Sequence, residues 1–339
     1  MNAREVRGIA VAATLFLLVQ VGALAMVGPF EAAGYQAVED PSDPTNSLVY
    51  MAAILVATAL MLAAFKYAFE QAVKAVVVCS SALVAWYVFA VVAPPLVTLG
   101  SVNLVAVALS VGVAAALLVY PEWYVIDAAG VVMGIGAGAL FGISFGLLPA
   151  ILLLSVLAVY DAISVYGTEH MLSLAEGVMD LRVPVILVIP LSLSYSLLDD
   201  DFSGANDVHE GEDEADPDDA ETTADTDTAD GDDPSEGDRD AFFIGLGDAV
   251  MPTVMVASSA FFSPAPSLGV PLLPALNLPA LCSMVGTFIG LGILLWAVMK
   301  GRAHAGLPLL NGGAIGGYLL GSLAAGVPLL RALGVAAYL

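Results

Sequence analysis

Cysteine, histidine and basic residues are scarce in this chain of 339 residues, which has two cysteines, three histidines and nine lysines and arginines together. Cys79 and Cys282 both lie in apolar runs, so they indicate neither a disulfide framework nor a metal site. The sequence contains no His-Glu-x-x-His motif, no phosphate-binding loop and no basic patch. These absences exclude the familiar zinc proteases and give no sign of a nucleotide or nucleic-acid partner. We expect no metal and no organic cofactor.

Apolar residues are abundant: they make up 59% of the chain, and the mean hydropathy is +0.91. Soluble domains are closer to about half apolar, so the composition indicates an integral membrane protein. The formal net charge of -24 is unevenly spread, because residues 199–240 hold 20 of the 33 acidic residues and one basic residue. Since this segment has almost no large apolar side chains to bury, we expect it to form a disordered acidic tether.

Nine apolar segments are each long enough, or nearly so, to cross a hydrocarbon core of about 30 Å. We therefore predict an all-α membrane protein with nine transmembrane helices, at residues 8–27, 48–65, 73–92, 102–120, 124–145, 148–166, 242–262, 278–299 and 307–329. In the fifth segment, glycines recur at four-residue spacing and predict close helix packing; they are Gly130, Gly134, Gly138 and Gly142.

The basic residues set the expected orientation, because cytoplasmic loops are enriched in lysine and arginine. Only Arg331 falls on the opposite side from the others, which are Arg4, Arg7, Lys66, Lys74, Arg182, Arg239, Lys300 and Arg302. We expect a cytoplasmic amino terminus, an outer carboxyl terminus and a multi-pass protein of the cell membrane.

Three regions follow from this layout. Residues 1–182 would hold helices one to six, residues 183–240 a cytoplasmic loop with the acidic tether, and residues 241–339 helices seven to nine. Within the loop, residues 183–190 are rich in β-branched side chains bracketed by prolines, which favours a short extended stretch over a helix.

Two aspartates lie inside consecutive apolar segments, where an unpartnered charge is costly. Asp161 is 13 residues into the sixth segment, or about 20 Å, which leaves roughly 10 Å to the cytoplasmic face. Asp248 is 6 residues into the seventh, or roughly 9 Å from the same face. Because the two helices run in opposite directions, we expect the carboxylates to meet. Asp127, near the inner end of the fifth segment, is either a functional residue or an interfacial polar residue, and the interfacial interpretation is favoured.

Two carboxylates in contact share a proton over some pH range, since both cannot ionise cheaply. One can then act as general base on a water while the other polarises a peptide carbonyl. Gly245 and Gly247 leave room beside Asp248 for backbone or substrate. The same acids would also serve a proton- or ion-coupled transporter or channel, and the residues alone leave both functions open.

The two motifs together resemble those of a known family. Val159-Tyr160-Asp161 in one helix and Gly245-Leu246-Gly247-Asp248 in the next are similar to the motifs of presenilins and signal peptide peptidases, and especially to an archaeal presenilin-like homologue. The resemblance implies an intramembrane aspartyl protease, a hydrolase that cleaves transmembrane helices of membrane-protein substrates. It makes Asp161 and Asp248 the catalytic pair, and it places Tyr160, Gly245, Leu246 and Gly247 beside the substrate.

The family's third motif, Pro-Ala-Leu before the last helix, is altered in this chain. The matching residues are Ala305, Gly306 and Leu307, followed by Pro308. By resemblance, Gly306, Leu307 and Pro308 are expected to support the bound substrate. The sequence names no accessory subunit.

Substrate binding requires an unwound helix, whose freed backbone groups need new partners. Residues 185–189 have two interpretations: they offer a strand edge to which the unwound substrate adds, with the N–H of Leu187 foremost, or they simply lie against the membrane surface.

The acidic tether generates the first testable prediction. Deleting residues 207–236 should leave the amount of folded protein and its activity nearly unchanged, because the segment has no apolar surface to contribute to a core. Size-exclusion chromatography in detergent and a cleavage assay check this expectation, and loss of folding at high salt would contradict it.

Overall fold

The computed structural model describes residues 3–67, 69–167, 184–191, 195–197, 241–298 and 305–336. The acidic tether predicted at residues 199–240 lies outside them. The described chain is mostly helical, with four short strands. The helices are α1 (Ala3–Ala32), α2 (Thr45–Lys66), α3 (Glu70–Val92), α4 (Leu104–Val119), α5 (Trp123–Ser144), α6 (Leu147–Gly167), α7 (Leu246–Phe262), α8 (Leu278–Val298), α9 (Gly306–Ala324) and α10 (Leu329–Ala332). The strands are β1 (Thr98–Leu99), β2 (Val102–Asn103), β3 (Ile186–Pro190) and β4 (Ala241–Gly245).

Seven of these helices are long and apolar enough to cross a membrane, namely α1, α2, α3, α5, α6, α8 and α9. Two further apolar helices, α4 and α7, have 16 and 17 residues and correspond to the fourth and seventh predicted segments. The protein is therefore a multi-pass helical membrane protein.

The seventh predicted segment is the one that the structure changes most. Its first residues form β4, and the helix begins only at Leu246. Phe242, Phe243 and Ile244 suit a strand, and glycines are weak helix formers, so the helix starts between Gly245 and Gly247. Asp248 consequently lies in the first turn of α7 and not about two turns into a membrane helix, as the apolar run suggested.

The ninth predicted segment is also interrupted. Helix α9 ends at Ala324, and Gly326 adopts a left-handed conformation with φ of 77°, a common way to end a helix. The chain then forms the short helix α10. This helix is bonded to α9, because the Ala332 carbonyl accepts a hydrogen bond from the Tyr318 hydroxyl at 2.6 Å.

Helix α7 lies at the centre of the bundle, in contact with α1, α5, α6, α8 and α9. The predicted glycine face of α5 packs against it: a Cβ on Gly138 would lie 2.7 Å from Cγ2 of Thr253, and one on Gly142 would overlap the Ala257 side chain. The expectation of close packing at this face is confirmed, and it holds the helix that carries Asp248.

Strands β3 and β4 form a small antiparallel sheet in which Leu187 pairs with Ile244. The extended stretch expected within residues 183–190 is confirmed over Ile186–Pro190. Leu187 is buried, and its side chain packs on α5, where a Cβ on Gly130 would lie 3.0 Å from Leu187 Cδ2. The sheet thus sits beside the start of α7.

Helices α8 and α9 pack backbone against backbone. A Cβ on Gly286 would overlap the Gly313 carbonyl, and one on Gly290 would overlap the Leu309 carbonyl. The Ser283 hydroxyl donates to the Ala314 carbonyl at 3.0 Å across the same interface. Such small-residue contacts drive helix association in lipid, because the hydrophobic effect does not bring helices together there.

This interface generates a second prediction. Gly286→Ala should lower the thermal midpoint and the activity, because the added methyl forces α8 and α9 apart at a cost of about 1–3 kcal/mol. Gly292→Ala is the matched control, since a Cβ there meets nothing within 4 Å and alanine favours a helix. Thermal unfolding in detergent measures both variants, and an equal effect of the two substitutions would contradict the packing argument.

Candidate active site

The carboxylate of Asp161 lies at the amino terminus of α9. Its Oδ2 accepts a hydrogen bond from the Leu307 N–H at 3.0 Å, and the Gly306 N–H lies close enough to favour the charged form of the same carboxylate. The first N–H groups of a helix have no partner within the helix, and the helix dipole favours a negative charge there. Asp161 is thereby supplied with hydrogen-bond donors although it is buried.

Asp248 approaches Gly306 from the other side. A Cβ on Gly306 would lie 3.0 Å from Asp248 Oδ2 and 3.3 Å from its Oδ1, while one on Gly245 would lie 3.8 Å from Oδ2. Both aspartate side chains therefore contact the same residue, Gly306. The structure brings together the two carboxylates that were paired from their depths in the sequence.

An apolar cavity of about 160 Å³ opens beside Asp248. Gly245 and Gly306 are on its wall, as the family motifs led us to expect. The remaining lining residues come from α1, β3, β4 and α8 and are Gly8, Ile9, Ile189, Phe242, Phe243, Ile244, Leu294, Leu295 and Val298. Sequence reasoning missed most of them, because they are apolar residues in apolar runs and only the fold assembles them.

The other residues expected beside the substrate occupy different surroundings. Leu246 is buried against α5, with its Cδ1 3.6 Å from where a Gly134 Cβ would lie, and Gly247 faces open space. Leu307 is partly buried against the main core. Tyr160 is 38% exposed and is not on the cavity wall.

Pro308 lines a second groove, of about 250 Å³, between α6 and α9. As the third residue of α9, it replaces an N–H that would have no partner within the helix. Pro308 is therefore compatible with the first turn of α9, and it is not on the wall of the cavity beside Asp248.

The strand pairing corrects the expectation for Leu187. The Leu246 N–H donates to the Val185 carbonyl at 2.7 Å, and hydrogen-bonded pairs alternate along an antiparallel ladder. The Leu187–Ile244 pair is therefore a hydrogen-bonded one, which directs the Leu187 N–H toward β4 and away from any substrate. Its side chain is buried as well.

Asp127 is not the interfacial residue that the sequence suggested. It is 5% exposed, and its Oδ1 accepts a hydrogen bond from the Val188 N–H at 2.7 Å. The amide on the outer edge of β3 is thus occupied by a side chain of α5.

Metal ligation finds no support in the part of the chain that the structure describes, where no three histidine, cysteine, aspartate or glutamate side chains cluster closely enough to hold an ion.

Comparison with known proteins relates this arrangement to a family. A family model described as "Signal-peptide peptidase, presenilin aspartyl protease" matches residues 13–327. The chain is also similar to two solved structures of a presenilin family intramembrane aspartate protease. The structure in the C222 space group is 29% identical in sequence to this chain, has a TM-score of 0.61, and matches it over 93% of this chain and 99% of the solved chain. The structure in the P2 space group is 30% identical in sequence, has a TM-score of 0.57, and matches over 92% of this chain and 96% of the solved chain.

A search of curated protein sequences found no match. The family match spans nearly the whole chain and includes both aspartate-bearing helices. It therefore favours proteolysis over the transporter or channel that the residues alone left open. This chain belongs to the signal peptide peptidase and presenilin family of aspartyl proteases, and it is an intramembrane aspartic endopeptidase.

Proposed function

We propose that this protease cleaves the transmembrane helices of membrane-protein substrates with a water molecule activated jointly by Asp161 and Asp248. The observation that carries the proposal is the contact of both carboxylates with Gly306, beside an apolar cavity that Asp248 lines. Paired carboxylates of this kind match the chemistry of general base and general acid.

We assign the role of base to Asp161, because the backbone N–H groups of Gly306 and Leu307 stabilise its charged form. Asp248 then carries the shared proton. Asp161 removes a proton from the water as the water oxygen bonds to the scissile carbonyl carbon, and Asp248 protonates the carbonyl oxygen. When the resulting gem-diol collapses, the carbon–nitrogen bond breaks. The proton on Asp161 passes to the leaving nitrogen, and Asp248 recovers a proton from a diol hydroxyl.

The unwound substrate would add to β4 and not to β3. The outer edge of β3 is covered at Val188 by Asp127, and its inner edge is paired with β4. The alternate residues of β4, Ala241, Phe243 and Gly245, direct their backbone groups away from β3, and two of them line the cavity. A strand added at this edge would place its peptide bonds beside Asp248, which follows Gly245 by three residues.

The nine-helix topology belongs to the same proposal. With α4 and α7 counted as spans, the amino terminus is cytoplasmic and the carboxyl terminus is outside, as the basic residues indicate. The regions 1–182, 183–240 and 241–339 then form two membrane parts joined by a cytoplasmic loop, in the cell membrane. Cleavage would occur near the cytoplasmic end of the substrate helix.

The catalytic pair generates a third prediction. Asp161→Asn and Asp248→Asn should each reduce cleavage of a single transmembrane-helix peptide by at least about a thousandfold, because the first variant lacks the base and the second lacks the carboxylic acid that protonates the carbonyl oxygen. Mass spectrometry of the products in detergent measures the loss. The double variant should be little worse than either single one, since the two side chains act as a unit.

Glu39→Gln, in the exposed outer loop, is the control for replacing a carboxylate by an amide and should cleave like the unmodified protein. Size-exclusion profiles should be the same for all four variants. Substantial activity in either single aspartate variant would rule out the assignment.

Gly306 generates a fourth prediction. Gly306→Val should reduce the turnover rate at least tenfold, because its branched side chain would occupy the position of the Asp248 carboxylate. Gly306→Ala restores the alanine of the family motif and requires that carboxylate to shift by only a few tenths of an ångström from a 3.0 Å contact. It should keep most of the activity.

Gly312→Val is the matched control in the same helix, since a Cβ there meets nothing within 4 Å. Turnover rates per folded molecule distinguish these variants. Undiminished turnover in Gly306→Val would show that the two carboxylates do not meet at this residue in the working enzyme.

A further inference from the structure

The buried carboxylate of Asp127 has no part in the chemistry proposed above. Asp127 lies in the second turn of α5, and it accepts the Val188 N–H at 2.7 Å. Burying a carboxylate is costly unless it is hydrogen-bonded, and a buried amide also needs a partner. The bond therefore gives the amide its partner and the carboxylate a donor, and it joins two parts of the chain that are 61 residues apart.

A second carboxylate at the start of α5 holds the chain just beyond β3. Glu122 Oε2 accepts the Leu197 N–H at 3.1 Å, and its Oε1 accepts the Ser196 hydroxyl at 2.6 Å. From the opposite side, Arg7 Nη1 of α1 donates to the Leu191 carbonyl at 3.2 Å. The segment that contains β3 is thus attached to the helix bundle at several points. Of the attachments named here, the Asp127 bond is the one made to a residue within β3.

The Asp127 bond and the packing of the Leu187 side chain together select one register of β3. Hydrogen-bonded pairs alternate, so Leu187 and Ile189 direct their N–H groups to β4 and Val188 directs its N–H to α5. A slip of one residue would turn every side chain of β3 to the other face. Leu187 would then leave its packing on Gly130, and Asp127 would face a different amide.

The register of β3 is connected to the position of Asp248. Strand β4 continues into α7 without a loop, because Gly245 ends the strand and Leu246 begins the helix. The Leu246 N–H donates to the Val185 carbonyl at 2.7 Å, which ties the first residue of α7 to the start of β3. Movement of β3 would therefore move the first turn of α7, where Asp248 lies.

We propose that Asp127 is a positioning residue for proteolysis: by holding the Val188 amide, it fixes the register of the β3–β4 sheet and thereby the position of Asp248 and of the β4 edge relative to the scissile bond. This inference rests on the proposed catalytic role of Asp248 and on strand addition at β4. It is the acceptor oxygen of Asp127 that matters, and not its charge or its proton.

Two variants distinguish the effect of the acceptor oxygen of Asp127 from the effect of its charge. Asp127→Asn keeps a carbonyl oxygen that can accept the Val188 N–H, whereas Asp127→Leu has similar size and no acceptor. Both are assayed on one transmembrane-helix peptide, with active sites counted by titration with a tight-binding transition-state inhibitor of aspartyl proteases. Mass spectrometry identifies the bonds that are cleaved.

Asp127→Asn should cleave the same bond as the unmodified protein, with a turnover rate within about threefold. Asp127→Leu should lose at least tenfold in turnover rate per titrated site and should spread its products over neighbouring bonds. A residue that only stabilises the fold would lower the number of active sites and leave both the cleaved bond and the turnover rate unchanged.

Two results would overturn the proposal. If Asp127→Leu cleaves the same bond at an undiminished rate per site, the Val188 bond does not position the reaction. If Asp127→Asn is as impaired as Asp127→Leu, the charge or proton matters and not the acceptor. Asp161→Asn and Asp248→Asn are measured in parallel, so activity in those variants would identify a failure of the proposed function instead.

The donor provides a second, independent test, which decides the matter if Asp127→Leu does not fold. Val188→Pro removes the N–H that Asp127 holds and leaves the β3–β4 ladder intact, so it should redistribute the cleaved bonds in the same way. Ile186→Pro removes another N–H on the same edge, at the first residue of the strand, where proline is tolerated. It should keep the original cleavage site, and an equal effect of the two prolines would contradict the role of the Val188 bond.

Discussion

A carboxylate at membrane depth needs hydrogen-bond donors, and the amino terminus of α9 supplies them to Asp161. The Leu307 amide donates to it and the Gly306 amide lies close by, whereas the next residue, Pro308, has no N–H. Much of the remaining architecture holds this helix end in place. The glycine contacts fix α9 against α8, and the Asn311 amide, one turn further along, donates to the Leu154 carbonyl of α6 at 3.0 Å. The surroundings of Asp161 therefore depend on the backbone contacts that hold α9.

The scarcity of basic residues explains why backbone amides recur as partners of the buried acids. Asp161, Asp127 and Glu122 all accept N–H groups from the main chain. An amide in a strand or at a helix end has a fixed direction, unlike the long flexible side chain of lysine or arginine. Each of these acids thus bonds to a particular segment of backbone, and the proposed catalytic acid Asp161 and the proposed positioning acid Asp127 find their partners in the same way.

The pairing of Asp161 with Asp248 could be predicted because it depends on local quantities, namely the rise of a helix and the antiparallel direction of consecutive spans. The start of α7 could not. Phe242, Phe243 and Ile244 continue an apolar run, and they become a strand only because β3, more than 50 residues earlier, pairs with them. Likewise the direction of the Leu187 amide depends on the register of β3, in which the neighbouring Val188 amide bonds to Asp127. Asp127 lies in a helix that a sequence window around β3 does not contain.

The altered third motif shows how a sequence can change while its geometry is kept. Ala305 stands where the family has proline, yet its φ is -64°, close to the value of about -65° that a proline ring imposes. Its N–H, which a proline would lack, makes a long hydrogen bond of 3.4 Å to the Tyr166 hydroxyl of α6. Gly306 replaces an alanine at the position that both aspartates contact, where only the smallest side chains fit. The start of α9 must direct its first amides toward Asp161 and leave space for the Asp248 side chain. The protein meets both requirements with residues that differ from those of the family motif.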